Sequence, residues 1–553
     1  MSRVPETDGA PRAEPAPHEH IVRSAGVVSL AILASRISGL VREILMARLF
    51  GAGQAYDAFL LGFRIPNLTR DLFAEGALSS AFVPTFTQYL SGRGKQEAAA
   101  LAHVVGTALT IVVGALCALG ILFSPQLVLW LAPGFAAVPE KFQLAVTLTR
   151  IMFPFLLFVA LAAQAMGMLN ALDRFGVPAM ASTFFNLGSI GFGLLLGFVV
   201  GPWLGFRPIV GMAWGVVLGG LWQWLWQVPS LVRLGIGFRW RMDWSHPGLR
   251  QIFHLMGPAI LGSAAVQINV MVNTNFASRI VDPVTGPDGP VSWLGYAFRF
   301  MQLPLGLFGV ALASATLPAI SRSISLGNVE EFRHTLSRSL GTVFLLTVPS
   351  SVGLAVLGEA MIGAIYEGGN FRAYDTRQTA LALSWYALGL AGYAALKVLT
   401  PAYYALGDSR TPMWVSLGSI AVNYVVAATM VRRGWLGHAG LALATSAVAL
   451  FGFLTQFWLL RARLGGVDGR RLARSVAGIG VASAVMGVLV KLASSGLETW
   501  LGTSRLGRVG NLTASIPLGA VCFWAVCRAA KVPELEAAQR AFRGWLAGGR
   551  ARI

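Results

Sequence analysis

Long apolar runs separated by short polar stretches dominate the chain. Apolar runs of about 20 residues are long enough to cross a bilayer as helices, and scanning for them predicts roughly 14 spans. The spans start near Gly26, Ala55, Ala102, Phe142, Pro178, Ile209, Leu249, Ser292, Thr335, Thr379, Pro412, Ala439, Leu472 and Val509. The pattern predicts an all-α polytopic membrane protein.

The span that starts near Ala55 is the least regular. Its apolar run is interrupted by Asp57, Arg64, Arg70, Asp71 and Glu75. A bent span beside a cavity and an amphipathic helix lying on the membrane would both give this pattern. The apolar, glycine-poor flanks favour the bent span.

An internal repeat links two distant parts of the chain. Arg64 and Arg299 follow a phenylalanine in similar local sequences, and they are 235 positions apart. Pro84 and Pro318 close those similar segments at a separation of 234, which Pro178 and Pro412 share. A common offset predicts a duplication. With about six spans per copy, both copies enter the membrane in the same direction, which places the expected site between two pseudo-symmetric lobes with Arg64 facing Arg299.

The repeat divides the chain into five predicted parts. Helices 13 and 14 fall outside the duplication and are predicted to be an appendage. The parts are a disordered cytoplasmic tail (1–23), an N-terminal six-helix lobe (24–240), a C-terminal six-helix lobe (241–466), the last helix pair (467–531) and a basic cytoplasmic tail (532–553).

The net charge of the chain could indicate a nucleic-acid partner, but the positions of the charges indicate a membrane topology instead. Only 12% of residues are charged and 55% are hydrophobic, against about 25% charged residues in soluble domains. The net charge of +19 would suit nucleic acid, but the basic residues concentrate in loops after even-numbered spans and in the C-terminal tail. By the positive-inside rule, both termini are cytoplasmic, and no nucleic acid is expected.

Four arginines lie inside or beside apolar stretches, namely Arg36, Arg42, Arg64 and Arg299. Each would cost about 2.5–3.5 kcal/mol facing lipid at a helix centre, so we expect them to line a water-filled cavity. A guanidinium stays charged and binds phosphate through two parallel hydrogen bonds. The set predicts a polyanionic substrate, with phosphate as the first candidate, and a cluster of arginines suits a diphosphate.

Acidic neighbours leave a second interpretation open for two of these arginines. Glu43 and Asp57 could neutralise Arg36 and Arg64 as structural ion pairs, whereas Arg299 has no acidic residue one turn away in the sequence. Arg36 and Arg42 point about 120° apart on a regular helix. Gly39 between them is the predicted hinge that would bring both to one cavity.

Other chemistry is poorly supported by the sequence. Cys117, Cys522 and Cys527 lack metal-ligand spacing, and there is no phosphate-binding loop for ATP. We therefore expect no metal and no cofactor. Transport would use an ion gradient, the membrane potential or the substrate gradient.

Several motifs together resemble one known family. They are Arg36-Ile-Ser-Gly-Leu-Val-Arg-Glu, the run Phe-Ala-Glu-Gly-Ala-Leu-Ser-Ser-Ala-Phe-Val-Pro over 73–84, and Gly257-Pro-Ala-Ile-Leu-Gly262. From about Ser24 to Lys531 the chain resembles the bacterial MurJ (MviN) lipid II flippases of the multidrug/oligosaccharidyl-lipid/polysaccharide exporter superfamily.

The resemblance implies 14 helices, with two six-helix lobes around a central cationic cavity and a C-terminal pair forming a groove for the polyprenyl tail. It implies an inner-membrane transporter, not an enzyme. The transporter would move undecaprenyl-diphosphate-linked peptidoglycan precursor to the periplasmic leaflet by alternating access, for cell-wall synthesis. Membrane lipids and lipid II are the implied partners.

The resemblance also assigns residues. Family positions with functional charges match Arg36, Arg42, Asp57, Arg70, Glu75 and Arg299, to which the repeat adds Arg64. Some relatives carry acidic residues beside Arg299, where this chain has Phe298 and Gln302. Others bind sodium in the second lobe. Here Asn269, Asn273 and Asn423 would ligate a monovalent cation or be ordinary buried amides.

Two other functions compete with the flippase. A cation-coupled drug exporter of the same superfamily would usually need a cavity of the opposite charge. A membrane glycosyltransferase using the same lipid would need an acidic base, for which Glu43, Asp57 and Glu75 are available.

Overall fold

Helices make up most of the structure, a computed structural model that describes residues 17–70, 78–536 and 539–540. The helices of the first half are α1 (Pro17–Phe50), α2 (Gln54–Arg70), α3 (Ser79–Arg93), α4 (Lys95–Leu122), α5 (Ser124–Leu131), α6 (Pro139–Met152), α7 (Phe155–Ala171), α8 (Gly176–Leu194), α9 (Gly201–Leu204) and α10 (Pro208–Arg233). The second half holds α11 (Pro247–Ser278), α12 (Pro290–Pro304), α13 (Val310–Ser325), α14 (Val329–Ile365), α15 (Ala373–Ala405), α16 (Arg410–Arg432), α17 (Ala439–Arg463), α18 (Gly469–Leu501) and α19 (Arg505–Ala529).

Eleven stretches within the described ranges are helical, long and apolar enough to cross a membrane. All fourteen predicted span starts fall inside helices. The three that do not meet the same standard lie in α1, in α2 with α3, and in α11. The all-α polytopic fold is confirmed, while the count of fourteen stays a prediction. Helix α1 begins at Pro17, inside the range 1–23 that the sequence predicts as a tail.

The span that carries Arg299 is irregular in its middle. Helix α12 ends at Pro304, and Leu305–Gly309 forms a π-helical turn before α13. Proline has no N–H to donate and its ring crowds the preceding turn. A π turn takes up that misfit and is frequent at functional positions.

Two compact units make up the described chain. Residues of 1–43, 73–116 and 154–256 form the first, and those of 44–72, 117–153 and 257–553 form the second. The predicted boundary near residue 240 therefore does not separate them. Two segments of the first repeat belong to the second unit, where Asp57 of α2 bonds to Lys141 of α6 and to the Ser292 N–H of α12.

The last helix pair belongs to the core of the second unit. Leu472, Ile479 and Cys527 share one buried cluster with Leu340 of α14 and Leu399 of α15. Polar contacts add to this packing. Arg508 of α19 forms an ion pair with Glu367, which also accepts a hydrogen bond from Thr376 at 2.7 Å. The pair falls outside the sequence repeat, yet it packs into the core of the second unit.

The Arg508–Glu367 ion pair should contribute to the stability of the packing between the last helix pair and the rest of the second unit. We expect Arg508→Ala to lower the free energy of unfolding in detergent by about 1–3 kcal/mol, because Glu367 loses its charged partner. Arg474→Ala, which removes an exposed arginine of α18, is the matched control. Equal thermal unfolding curves for the two variants would contradict a structural role for the pair.

Candidate functional site

Arg64 and Arg299 come close together in the second unit. Arg64 projects from α2 and Arg299 from α12, and the two guanidinium groups are near enough to repel each other electrostatically. Arg64 is half-buried and Arg299 is exposed. Arg64 donates a hydrogen bond of 2.6 Å to the Thr274 hydroxyl of α11. Two like charges within electrostatic range of each other would be stabilised by an anion bound between them.

Residues adjacent to Arg299 and Thr274 in the sequence make further aromatic and amide contacts. Tyr386 of α15 packs edge-on against Phe298, with ring centroids 5.4 Å apart. One residue before Thr274, Asn273 donates to the Thr445 hydroxyl at 2.8 Å. Asn269 and Asn423 are linked by a bond of 3.1 Å from the Asn423 amide to the Asn269 carbonyl. Separate hydrogen bonds thus connect α11 to α2, α16 and α17.

Asp57 lies elsewhere in the second unit and is fully buried. It accepts hydrogen bonds from Lys141 Nζ at 2.7 Å, from the N–H groups of Gly289 and Ser292 at 3.0 and 2.9 Å, and from the Ser292 hydroxyl. The N–H groups belong to Gly289, the residue before α12, and to Ser292 in its first turn, where the helix dipole favours an anion. Asp57 thus caps α12 from another helix.

This arrangement corrects two expectations for Asp57. A carboxylate with four donors and no exposed surface has no position left for substrate in this conformation. Nor is Arg64 its partner, although the two are seven residues apart on α2. The partner is Lys141 of α6, a lysine with no exposed side-chain surface. Lys141 also donates to the Asp288 carboxylate and to the Pro287 carbonyl, each at 2.8 Å.

The end of α1 is fastened beside the same region of the second unit. Gly51, with φ of 65°, ends the helix in the left-handed conformation that suits glycine. Its carbonyl accepts from the Tyr296 hydroxyl at 3.2 Å. From the loop before α15, Asn370 donates its backbone N–H to the Arg48 carbonyl and its side-chain amide to the Leu49 carbonyl. These bonds satisfy carbonyls left free at a helix terminus.

The loop before α12 is also ordered by a carboxylate. Burial raises the pKa of Asp282, but hydrogen bonds from Thr285, Val284 and Tyr374 outweigh that effect and leave the pKa below its usual range. Asp282 therefore stays ionised. Further along, the Trp293 indole donates to Asp375 at 2.9 Å. The start of α12 is therefore bonded to Asp57 of α2 through Ser292 and to Asp375 of α15 through Trp293.

Arg36, Gly39 and Arg42 belong to the first unit. Arg36 is exposed, and Arg42 lies over the Phe185 ring of α8 at 5.3 Å. Asn186, the next residue, donates to the Ser35 carbonyl and to the Ser38 hydroxyl, each at 3.2 Å. Helix α1 runs through Gly39 without interruption. A methyl group at Gly39 would meet the Asn186 amide nitrogen at 3.4 Å, an ordinary contact distance.

Two remaining candidates end at the edge of the described chain. Arg70 is the last residue of α2 and is half-buried. Glu75 lies outside the described residues. Among those that are described, no group of three or more His, Cys, Asp or Glu could hold a metal ion.

The sequence did not identify Lys141, Ser292, Thr274 or Tyr386. Lys141 follows Pro139-Glu140 near a helix start, which resembles an ordinary solvated turn. The sequence feature that could have identified Lys141 is that it borders an apolar run and has no other basic residues beside it. Its acidic partner is 84 positions away.

The fold and this charged helical bundle define a multi-pass membrane transporter. A solved structure of a lipid II flippase MurJ in an inward closed conformation aligns with a TM-score of 0.73 and 25% identity, covering 91% of this chain and 99% of that one. An inward-facing MATE family transporter of the MOP superfamily aligns with a TM-score of 0.58 and 15% identity, covering 80% and 95%. The second likeness concerns the fold alone.

Sequence comparison narrows the class to one family. The family model for lipid II flippase MurJ matches residues 46–508. A lipid II flippase MurJ of Burkholderia cenocepacia is 36% identical over 448 residues, which is 80% of this chain and 84% of the relative. The chain belongs to the MurJ family, and the resemblance drawn from its motifs is confirmed.

The buried lysine gives a prediction for stability. We expect Lys141→Met to cost about 3–5 kcal/mol of unfolding free energy, because it leaves the Asp57 carboxylate buried without its cation. Asp57→Asn in the same chain should recover part of the loss. Lys95→Met, at an exposed lysine of α4, is the control. Thermal unfolding in detergent would contradict the prediction if all three variants matched wild type.

Proposed function

We propose that this chain is a lipid II flippase of the bacterial inner membrane, carrying the lipid-linked precursor from the cytoplasmic to the periplasmic leaflet. The observation that carries the proposal is the Arg64–Arg299 pair, two guanidinium groups from equivalent helices of the repeat held within electrostatic range. Such a pair matches the charge of a diphosphate and its need for several donors. Family membership supports the same substrate.

Neither competing function is favoured. A site built on two adjacent arginines repels the cationic substrates that many drug exporters carry. A flippase moves its substrate without making or breaking a covalent bond. A glycosyltransferase would need an acidic base. Asp57, one of the three candidates, is already bonded to Lys141 and to the start of α12.

The direct test is leaflet-resolved detection of lipid II in cells depleted of the protein. Accumulation on the cytoplasmic side, reversed by re-expression, is the expected result. Normal periplasmic delivery during depletion would overturn the proposal. The distribution of basic loops supports a topology with both termini in the cytoplasm.

Coupling to a monovalent cation is the further part of this proposal. The side-chain oxygens of Asn269, Asn273 and Asn423 are buried without a hydrogen-bond partner. Neutral oxygens of this kind suit sodium, which transporters bind with carbonyl groups in unwound or polar helix regions. These residues fit such an ion and would hold it in the second lobe. The membrane potential is the alternative driving force.

The arginine pair predicts a sharp loss of transport. We expect Arg299→Ala and Arg64→Ala each to abolish complementation of a depleted strain, while the protein still inserts. Arg299→Lys should also be impaired, because a point charge cannot reproduce two parallel hydrogen bonds. Arg322→Ala, at an exposed arginine of α13, is the control. Full growth with Arg299→Ala at normal expression would remove Arg299 from the site.

A hinge at Gly39 is the remaining part of the proposed cycle. Because a methyl group fits beside Asn186, Gly39→Ala changes the backbone preference of α1 with little steric disturbance, whereas Leu would displace the Asn186 amide. Alanine is favoured in a helix over glycine by about 1 kcal/mol. We therefore expect Gly39→Ala to slow transport.

The control for Gly39 is Gly114→Ala in α4, where an added methyl group meets nothing within 4 Å. Both variants raise helix preference, but only one lies between Arg36 and Arg42. The measurement is a distance distribution between spin labels at Ser29 and Phe50, with and without lipid II. A distribution unchanged by substrate, together with normal transport by Gly39→Ala, would end the hinge hypothesis.

A further inference from the structure

The Ser35 carbonyl of α1 is offered more hydrogen-bond donors than it can accept. Helix α1 runs through this turn, and in an α-helix the N–H four residues later, that of Gly39, points at the carbonyl. The Ser38 hydroxyl also donates to it at 3.0 Å, and the Asn186 side-chain amide of α8 donates to it at 3.2 Å. A carbonyl oxygen has two lone pairs. Three donors therefore compete for two positions.

Asn186 uses both hydrogens of its amide on this turn of α1. One goes to the Ser35 carbonyl and the other to the Ser38 hydroxyl, each at 3.2 Å. The Asn186 side chain is buried, and its nitrogen lies 3.4 Å from the position that a Cβ atom of Gly39 would take. A residue of another helix thus places two donors at the proposed hinge.

A surplus donor has a use when α1 bends here. Bending at Gly39 draws its N–H away from the Ser35 carbonyl, and a carbonyl left without donors in a buried place is costly. Asn186 and Ser38 remain to fill both lone pairs. Serine side chains that bond back to the preceding turn also favour bending of a helix, as do glycine–serine pairs.

The neighbouring residue of α8 contacts the charged part of the same helix. Phe185 precedes Asn186, and the Arg42 guanidinium lies over its ring at 5.3 Å from the centroid. A cation at this distance is attracted to the face of the ring. Helix α8 therefore contacts α1 both at the bend and at the arginine beyond it. A bend at Gly39 then changes the direction of Arg36 relative to Arg42.

We infer that Asn186 is a positioning residue for the arginines of α1. Its amide, together with the Ser38 hydroxyl, replaces the hydrogen bond that the Ser35 carbonyl loses when α1 bends. The inference rests on the proposed function, specifically on the hinge at Gly39, and deepens it. Asn186 acts through the backbone of α1 and needs no contact with the substrate. Because the straight helix keeps the Gly39 donor, removing Asn186 costs the bent helix more.

Two variants remove the donors separately. Asn186→Ala removes the amide, and Ser38→Ala removes the hydroxyl. The matched control is Asn511→Ala in α19, because the buried Asn511 amide donates to the Ser494 carbonyl of α18 at 3.2 Å and to the Ser494 hydroxyl at 3.0 Å. Four residues after Ser494 the chain has Glu498 instead of a glycine. The control loses the same two bonds without a hinge.

The test measures the distance distribution between spin labels at Ser29 and Phe50 in the purified full chain, at one fixed concentration of lipid II. We expect Asn186→Ala and Ser38→Ala each to lower the ratio of bent to straight helix about fivefold, the value of one typical hydrogen bond. Asn511→Ala should keep the wild-type ratio.

The Ser38→Ala/Asn186→Ala double variant separates a shared task from two independent ones. Its ratio should fall by more than the product of the two single effects, because the bent carbonyl then has no donor. A purely structural Asn186 would lower the unfolding temperature as Asn511→Ala does and leave the ratio unchanged. Ser38→Ala keeps the test available if Asn186→Ala does not fold.

Each outcome decides the inference. An unchanged or raised ratio in Asn186→Ala overturns it, or in Ser38→Ala if the first variant does not fold. Single effects that simply multiply in the double variant overturn it too, since the two donors would then not serve one carbonyl. If lipid II leaves the wild-type distribution unchanged, the hinge at Gly39 itself fails and the role of Asn186 fails with it. The flippase proposal is decided separately, by the leaflet-resolved detection of lipid II.

Discussion

The packing of α2, α6 and α12 in the second unit depends on one buried carboxylate, that of Asp57. A buried ionised group is tolerated only when donors and an opposite charge replace the water that it loses. Asp57 meets this requirement with Lys141, the Ser292 hydroxyl and two N–H groups of α12. Removing any one donor leaves a charge that the surrounding apolar helices cannot solvate. Three helices are therefore fixed to one another by a single side chain.

Much of the fold was predictable because the helix positions follow from the spacing of apolar runs along the chain. The spacing of apolar runs located helices at all fourteen expected positions, and the repeat offset paired Arg64 with Arg299. Both inferences use information that is periodic along the chain. The structure brings those two arginines within electrostatic range.

Contacts between distant segments could not be predicted in the same way. Spacing along α2 suggested Arg64 as a partner for Asp57, yet tertiary packing supplies Lys141 from a helix far along the chain. The integration of α18 and α19 was hidden for the same reason, since Arg508 and Glu367 are 141 positions apart.

Two opposite electrostatic interactions act on helix α12, one at its first turn and one at Arg299. Its first turn is drawn to the negative charge of Asp57, while Arg299, two turns further along, is pushed away by Arg64. Attraction at one end and repulsion at the other act on the same rigid rod. An anion bound between the arginines would offset that repulsion. Under the proposed function, occupancy of the arginine pair would change the electrostatic load on a helix whose first turn is fixed to Asp57, so the helix that binds cargo would also respond to it.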